Sequence, residues 1–71
     1  MTTTKVWLAD LGLTWSTPNA TADVFESGVL TVTHNETDAV VQRFWRDEWT
    51  RCSVYGADGY ELFAFENRRR A

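Results

Sequence analysis

The spacing of apolar residues departs from strand alternation in one segment of this chain of 71 residues, and that departure limits its fold more than any other feature. From Lys5 to Ser16 the odd positions Trp7, Ala9, Leu11, Leu13 and Trp15 are apolar, and a period of two belongs to a strand. Gly12 inside that run marks a bulge or a bend. Between residues 40 and 49 the apolar positions Val40, Val41, Phe44, Trp45 and Trp49 recur instead at intervals of three and four. That is the spacing of one face of a helix. Asn35 followed by Asp38 reads as an N-cap with a variant of the capping box. Glu36 and Asp38 also place negative charge at the positive end of the helix dipole. Glu48 alone disobeys, falling in the middle of the apolar arc.

The remaining segments complete an order of elements. Thr17-Pro18-Asn19-Ala20-Thr21 is turn-like, and residues 22 to 33, rich in Val and Thr, read as a second strand paired with the first in a long hairpin. Trp49 to Tyr55 and Tyr60 to Glu66 read as another hairpin around Gly56-Ala57-Asp58-Gly59, where Asp-Gly supplies the backbone freedom a tight turn needs. The last strand is apolar on both faces, with Tyr60, Leu62 and Ala64 on one and Phe63 and Phe65 on the other. The expectation is an α+β domain, β-β-α-β-β, with one helix packed on a mainly antiparallel sheet. The competing architecture is a small five-stranded barrel in which residues 38 to 47 form a strand. The expectation is one domain over residues 1–71, with flexible ends at 1–4 and 67–71.

Charge and cysteine usage narrow the partners. The net charge is −3, and Arg68, Arg69 and Arg70 stand together near the C-terminus; without those three positive charges the rest of the chain carries −6. An acidic body repels a phosphate backbone, so nucleic acid is an unfavourable partner except through that basic tail. No apolar run approaches the length of a membrane span. The opening Met-Thr-Thr-Thr-Lys has no long apolar segment of the secretory kind. One cysteine, Cys52, cannot form an internal disulfide and fits a reducing compartment. A cytoplasmic location is the expectation.

Catalytic equipment is sparse. Nucleophilic catalysis needs an activated side chain with a base in reach, and His34 with Cys52 is the one pairing of the usual types. Nothing in their spacing joins them, and a lone Cys more often behaves as a small buried hydrophobe. A structural zinc site needs four Cys or His ligands, and the chain has two such residues. His34, Glu36 and Asp38 alternate as metal ligands could, but they fall at the expected helix N-terminus, where the dipole repels cations. No catalytic residue, metal or cofactor is implied.

What remains is a surplus of large rings: four Trp, four Phe and two Tyr. Most belong in the core, yet so small a domain cannot hide them all. Exposed aromatic rings are the residues that dominate binding hot spots. Trp7 and Trp15, expected on one strand face, and Phe63 and Phe65, expected on a sheet face that one helix cannot cover, are the candidate contact residues. The tail Arg68 to Arg70 is a candidate basic contact. The resulting expectation is a small non-enzymatic protein-binding module, an accessory or inhibitory factor of the kind phages and mobile elements encode, able to form a homodimer. The alternatives are a single-stranded nucleic-acid binder using stacked rings and the Arg tail, and, more remotely, a small enzyme using His34 or Cys52.

Overall fold

The computed structural model describes residues 1–10 and 12–67 of the chain. Seven strands run in the order β1 (Thr3–Leu8), β2 (Thr14–Pro18), β3 (Ala20–Val24), β4 (Leu30–His34), β5 (Val40–Phe44), β6 (Trp49–Tyr55) and β7 (Glu61–Glu66). They form a four-stranded sheet, β2-β1-β6-β7, and a three-stranded sheet, β3-β4-β5, with every neighbouring pair antiparallel. The expected α+β architecture is therefore wrong, since no helix exists among the described residues. Residues 40–44 form a strand, as the barrel alternative had it for that segment, but seven strands in two sheets replace five in a barrel.

The turns explain why the chain breaks into so many short strands. Four hairpins are closed by loops of the same length, residues 9–13, 25–29, 35–39 and 56–60. In each, the fourth loop residue has positive φ: Gly12 at 64°, Gly28 at 91°, Asp38 at 58° and Gly59 at 87°. That left-handed residue turns the backbone back into register, which is why three of the four are glycine. The backbone bonds agree, with Phe25 N–H donating to Val29 O, His34 N–H to Ala39 O and Gly56 N–H to Tyr60 O. Asp38 is the exception, adopting a conformation that strains a side chain with a Cβ. Asp38→Gly is expected to raise stability by about 0.5–1 kcal/mol in urea denaturation. An unchanged or lowered midpoint would show that the Asp38 side chain contributes more than its strain costs.

The chain passes from the four-stranded sheet into the three-stranded one at Asn19 and returns through the β5–β6 turn. The φ of 54° at Asn19 separates β2 from β3 and sends the chain from the first sheet into the second. Ala20 N–H donates to Thr2 O, and the hydroxyls of Thr2 and Thr4 both donate to Ala20 O. Thr4, fully buried, thereby ties the start of β1 to this crossing point. The core lies between the sheets and contains Val6, Cys52, Val54 and Trp49 from one and Ala20, Ala22, Leu30, Val32 and Phe44 from the other. A register shift opposite Trp7 and Leu8 leaves Thr50 as an extra residue in β6. That bulge lets Trp49 turn inward together with Cys52 and Val54, although their numbers differ in parity. Trp49 is fully buried, and its Nε1–H donates to Gly28 O at 3.0 Å, bonding the four-stranded sheet to the β3–β4 turn.

Three further expectations are overturned. Residues 22 to 33 are not one strand paired with the first, because the chain reverses at 25–29 and β3 pairs with β4. Residues 5 to 16 are not one strand, because the chain reverses at 9–13 and Val6, not Trp7, lies opposite Trp15. Trp7 and Trp15 therefore occupy opposite faces of the sheet. Nor do Trp45 and Trp49 share a buried face: Trp45 is 67% exposed on the turn between β5 and β6. There the Glu48 carboxylate accepts from Trp45 N–H at 2.7 Å, while Glu48 N–H donates to Trp45 O at 2.9 Å. Glu48 is thus the clasp of a tight turn. The hairpin around residues 56–59 is present, with β7 beginning at Glu61.

Candidate functional site

Sorting side chains by face isolates an open side of the molecule. The face of the four-stranded sheet that meets the other sheet carries, strand by strand, Trp15 and Thr17, then Val6 and Thr4, then Cys52 and Val54, then Phe65 and Phe63. Trp15, on β2, is half-buried and meets Phe44 edge to face at 5.3 Å between ring centres. Phe65 is half-buried against the core, but Phe63 beside it is 41% exposed. These two rings meet edge to face at 5.5 Å. Three strands do not cover four, and β7 is the strand left over.

The opposite face is a polar lattice. Trp7 is half-buried there, with the Lys5 ammonium 5.0 Å and the Arg51 guanidinium 5.7 Å from its ring centre. Arg51 pairs with Glu61 and Glu66, each at 3.2 Å, and Ser53 Oγ donates to Glu61 at 2.7 Å. Exposed pairs of this kind add little stability. Their effect is directional: both glutamates of β7 are turned onto this face, away from the phenylalanines.

Edge protection distinguishes β7 from β2 and β3. A strand edge presents unpaired N–H and C=O groups, which proteins blunt with proline, charge, bulges or cover. β2 ends in Pro18 and is otherwise Thr, Trp and Ser. On β3, Asp23 Oδ1 accepts from Val24 N–H at 3.0 Å, and Ala20 N–H is taken by Thr2. β5 contains a register shift that leaves Val41 as an extra residue. β7 is bulged at its start, near Leu62, and from Phe63 to Glu66 it is regular. Asn67 N–H donates to Thr50 O, so residues 67, 65 and 63 direct their backbone groups to β6. By alternation the N–H and C=O of Ala64 and Glu66 face outward. Around them Tyr60 and Leu62 are 75% and 58% exposed.

A second feature lies at the β5–β6 turn. Trp45 overhangs a shallow cleft of about 630 Å³ whose walls include Leu8, Phe44, Asp10, Asp47 and Glu48. Periodicity alone places Trp45 on a buried helix face, and the one signal against that is Glu48 within the apolar arc.

The residues weighed for chemistry are not brought together: Cys52 lies opposite Phe65 in the β6–β7 pair, and His34 ends β4 in the other sheet. Cys52 is fully buried in the core, and desolvation raises its thiol from 9.0 to about 12. A thiol in that state is not a nucleophile at neutral pH. His34 sits at the mouth of the β4–β5 hairpin, where its Nδ1 accepts from Glu36 N–H at 3.2 Å. Among the described residues no group of three or more His, Cys, Asp or Glu is placed to hold a metal ion. Arg68, Arg69 and Arg70 lie outside the described residues. No helix among the described residues is long and apolar enough to cross a membrane.

Cys52 gives a measurable consequence. In the native protein it is expected to resist iodoacetamide at neutral pH and to react on unfolding. Its raised folded value stabilises the native state below pH 9, and that contribution is lost as pH rises from 9 toward about 12, because the unfolded chain releases the proton first. Rapid labelling of the folded protein would contradict the buried placement. No family model, curated protein or solved structure matches this chain.

Proposed function

We infer that this protein is a non-enzymatic, intracellular protein-binding module whose contact surface is the β7 edge with Phe63 and Phe65. The observation that carries this reading is the contrast with β2 and β3, which are blunted by Pro18 and by Asp23: from Phe63 to Glu66, β7 offers a regular run with outward backbone groups beside exposed rings, one residue longer than the run β5 keeps past its own bulge. A partner in extended conformation would add a strand there, taking its affinity from main-chain bonds and its selectivity from alternate side chains against Phe63 and Phe65. Burial of Cys52 supports a non-catalytic role, and a single unpaired cysteine suits a reducing compartment.

Peptides selected by display on the immobilised protein test this. Their affinity should fall at least about tenfold on Ala64→Pro, which removes one outward N–H, and likewise on Phe63→Glu. Trp45→Ala, at the β5–β6 turn and off the outward edge of β7, should bind as the wild type does. Equal binding by all three folded variants would overturn the reading, and loss at Trp45 alone would move the surface to the acidic cleft.

A further inference from the structure

We propose that the occupant of the β7 edge is a second copy of this chain, paired antiparallel about a two-fold axis through Ala64. The inference rests on the β7 reading above and adds the partner's identity and register.

Register is the argument. Antiparallel partners that lie opposite each other point to the same face. A two-fold axis between two residues of β7 would set a residue of one face against a residue of the other, so the axis must pass through a residue. The axis must also leave Phe63 and Phe65 with apolar neighbours. An axis through Phe63 puts Phe65 opposite Glu61, whose carboxylate is bound to Arg51 and Ser53 on the polar face. An axis through Phe65 carries the pairing off the end of the strand, which stops at Glu66. An axis through Ala64 places Phe63 opposite Phe65 of the second copy, and Phe65 opposite its Phe63. Four rings then line one trough between the two three-stranded sheets.

The backbone agrees with that axis. Ala64 and Glu66 are the residues whose N–H and C=O face outward. With the axis at Ala64, the two Ala64 residues exchange both their bonds, and Glu66 meets Leu62 of the second copy. The central side chain on the polar face is then Ala64, small enough for two copies to approach without a clash. The glutamates closest to the axis, Glu61 and Glu66, are both held by Arg51 of their own chain, which offsets one of their two charges. A symmetric contact of this kind closes on itself as a dimer with one continuous eight-stranded sheet, and leaves the guarded β2 edges outermost. A single strand pair buries less than a standard interface, so the dimer should dissociate in the micromolar range.

Cysteine cross-linking reads the axis directly. The Cα atoms of opposed Ala64 residues would lie about 5.5 Å apart, within disulfide reach. Two Glu66 residues would be four positions out of register, about 13 Å apart. Under mild oxidation Ala64→Cys should form a covalent dimer, and Glu66→Cys and the wild type should not, since Cys52 is buried. Light scattering after size exclusion should give a dimer for the wild type at high micromolar concentration and a monomer for Ala64→Pro. Circular dichroism of each variant verifies the fold, and Ala64→Cys tests the axis even if the proline variant fails to fold. Cross-linking of Glu66→Cys as readily as Ala64→Cys, or a wild-type monomer throughout, would overturn the proposal. If that monomer still loses selected peptides on Phe63→Glu, the β7 reading stands and only the self-pairing falls.

Discussion

Trp49→Ala is expected to unfold the domain at room temperature. Trp49 is the largest fully buried side chain, and its indole N–H bonds the β3–β4 turn to the opposite sheet. Truncating a buried Trp costs about 3–5 kcal/mol. A chain of this length has a total stability of roughly 4–11 kcal/mol at the usual share per residue, and small domains fall at the low end. Trp49→Phe separates the two contributions, since it keeps most of the ring and removes the bond to Gly28; its cost should be about 1–3 kcal/mol. Near-ultraviolet circular dichroism and urea denaturation measure both. A Trp49→Ala variant with a cooperative transition close to that of the wild type would show that the two sheets do not depend on this ring.

The second large effect separates a strand from a helix over residues 40–44. Phe44 is buried and packs against Trp15, so Phe44→Ala should cost about 3–5 kcal/mol. Both readings share that result. They part at Val40 and Val41, which a helix would place in its buried stripe and which here are 48% and 40% exposed, with Val41 the extra residue of a bulge. Val40→Ala and Val41→Ala should each cost less than about 1 kcal/mol. Losses of about 2 kcal/mol or more at both valines would restore a helix with that stripe in the core.

The same segment shows where sequence reasoning failed and why. Spacings of three and four arise here from three unrelated features laid end to end. They are a bulge at Val41, a four-residue turn over 45–48, and a new strand that opens on an inward Trp49. Periodicity counts residues and cannot see a reversal of the chain. The contrary signal was present in Glu48, whose carboxylate is needed at the turn because it accepts from Trp45 N–H. Asn35 and Asp38, which resemble a helix cap, instead serve a hairpin loop in which Asp38 takes the left-handed conformation.

The run from Lys5 to Ser16 misled in the opposite way. Alternation correctly indicated strands, yet it continues through the loop at 9–13, so Trp7 and Trp15 looked like neighbours on one face. Gly12 marked the bend, and its place as the fourth residue of a five-residue loop recurs at Gly28 and Gly59. That recurrence is legible only once a hairpin is known, because Gly56 has no positive φ. The hairpin over residues 49–66 was legible from Asp58-Gly59 and from strong alternation on both sides. Phe63 and Phe65 were legible as a pair on one face for the same reason. The guarding of the β2 and β3 edges was not, since it depends on Asp23 bonding its neighbour's N–H and on Pro18 closing β2.

Amide hydrogen exchange along β7, read by nuclear magnetic resonance, tests most directly whether this edge is the contact surface. In dilute protein the amides of Phe63 and Phe65, bonded to β6, should be protected, and those of Ala64 and Glu66 should exchange freely. At high micromolar concentration the Ala64 and Glu66 amides should slow markedly while amides of β2 and β5 do not change. Free exchange of Ala64 and Glu66 at every concentration, and equally with a selected peptide bound, would contradict the account.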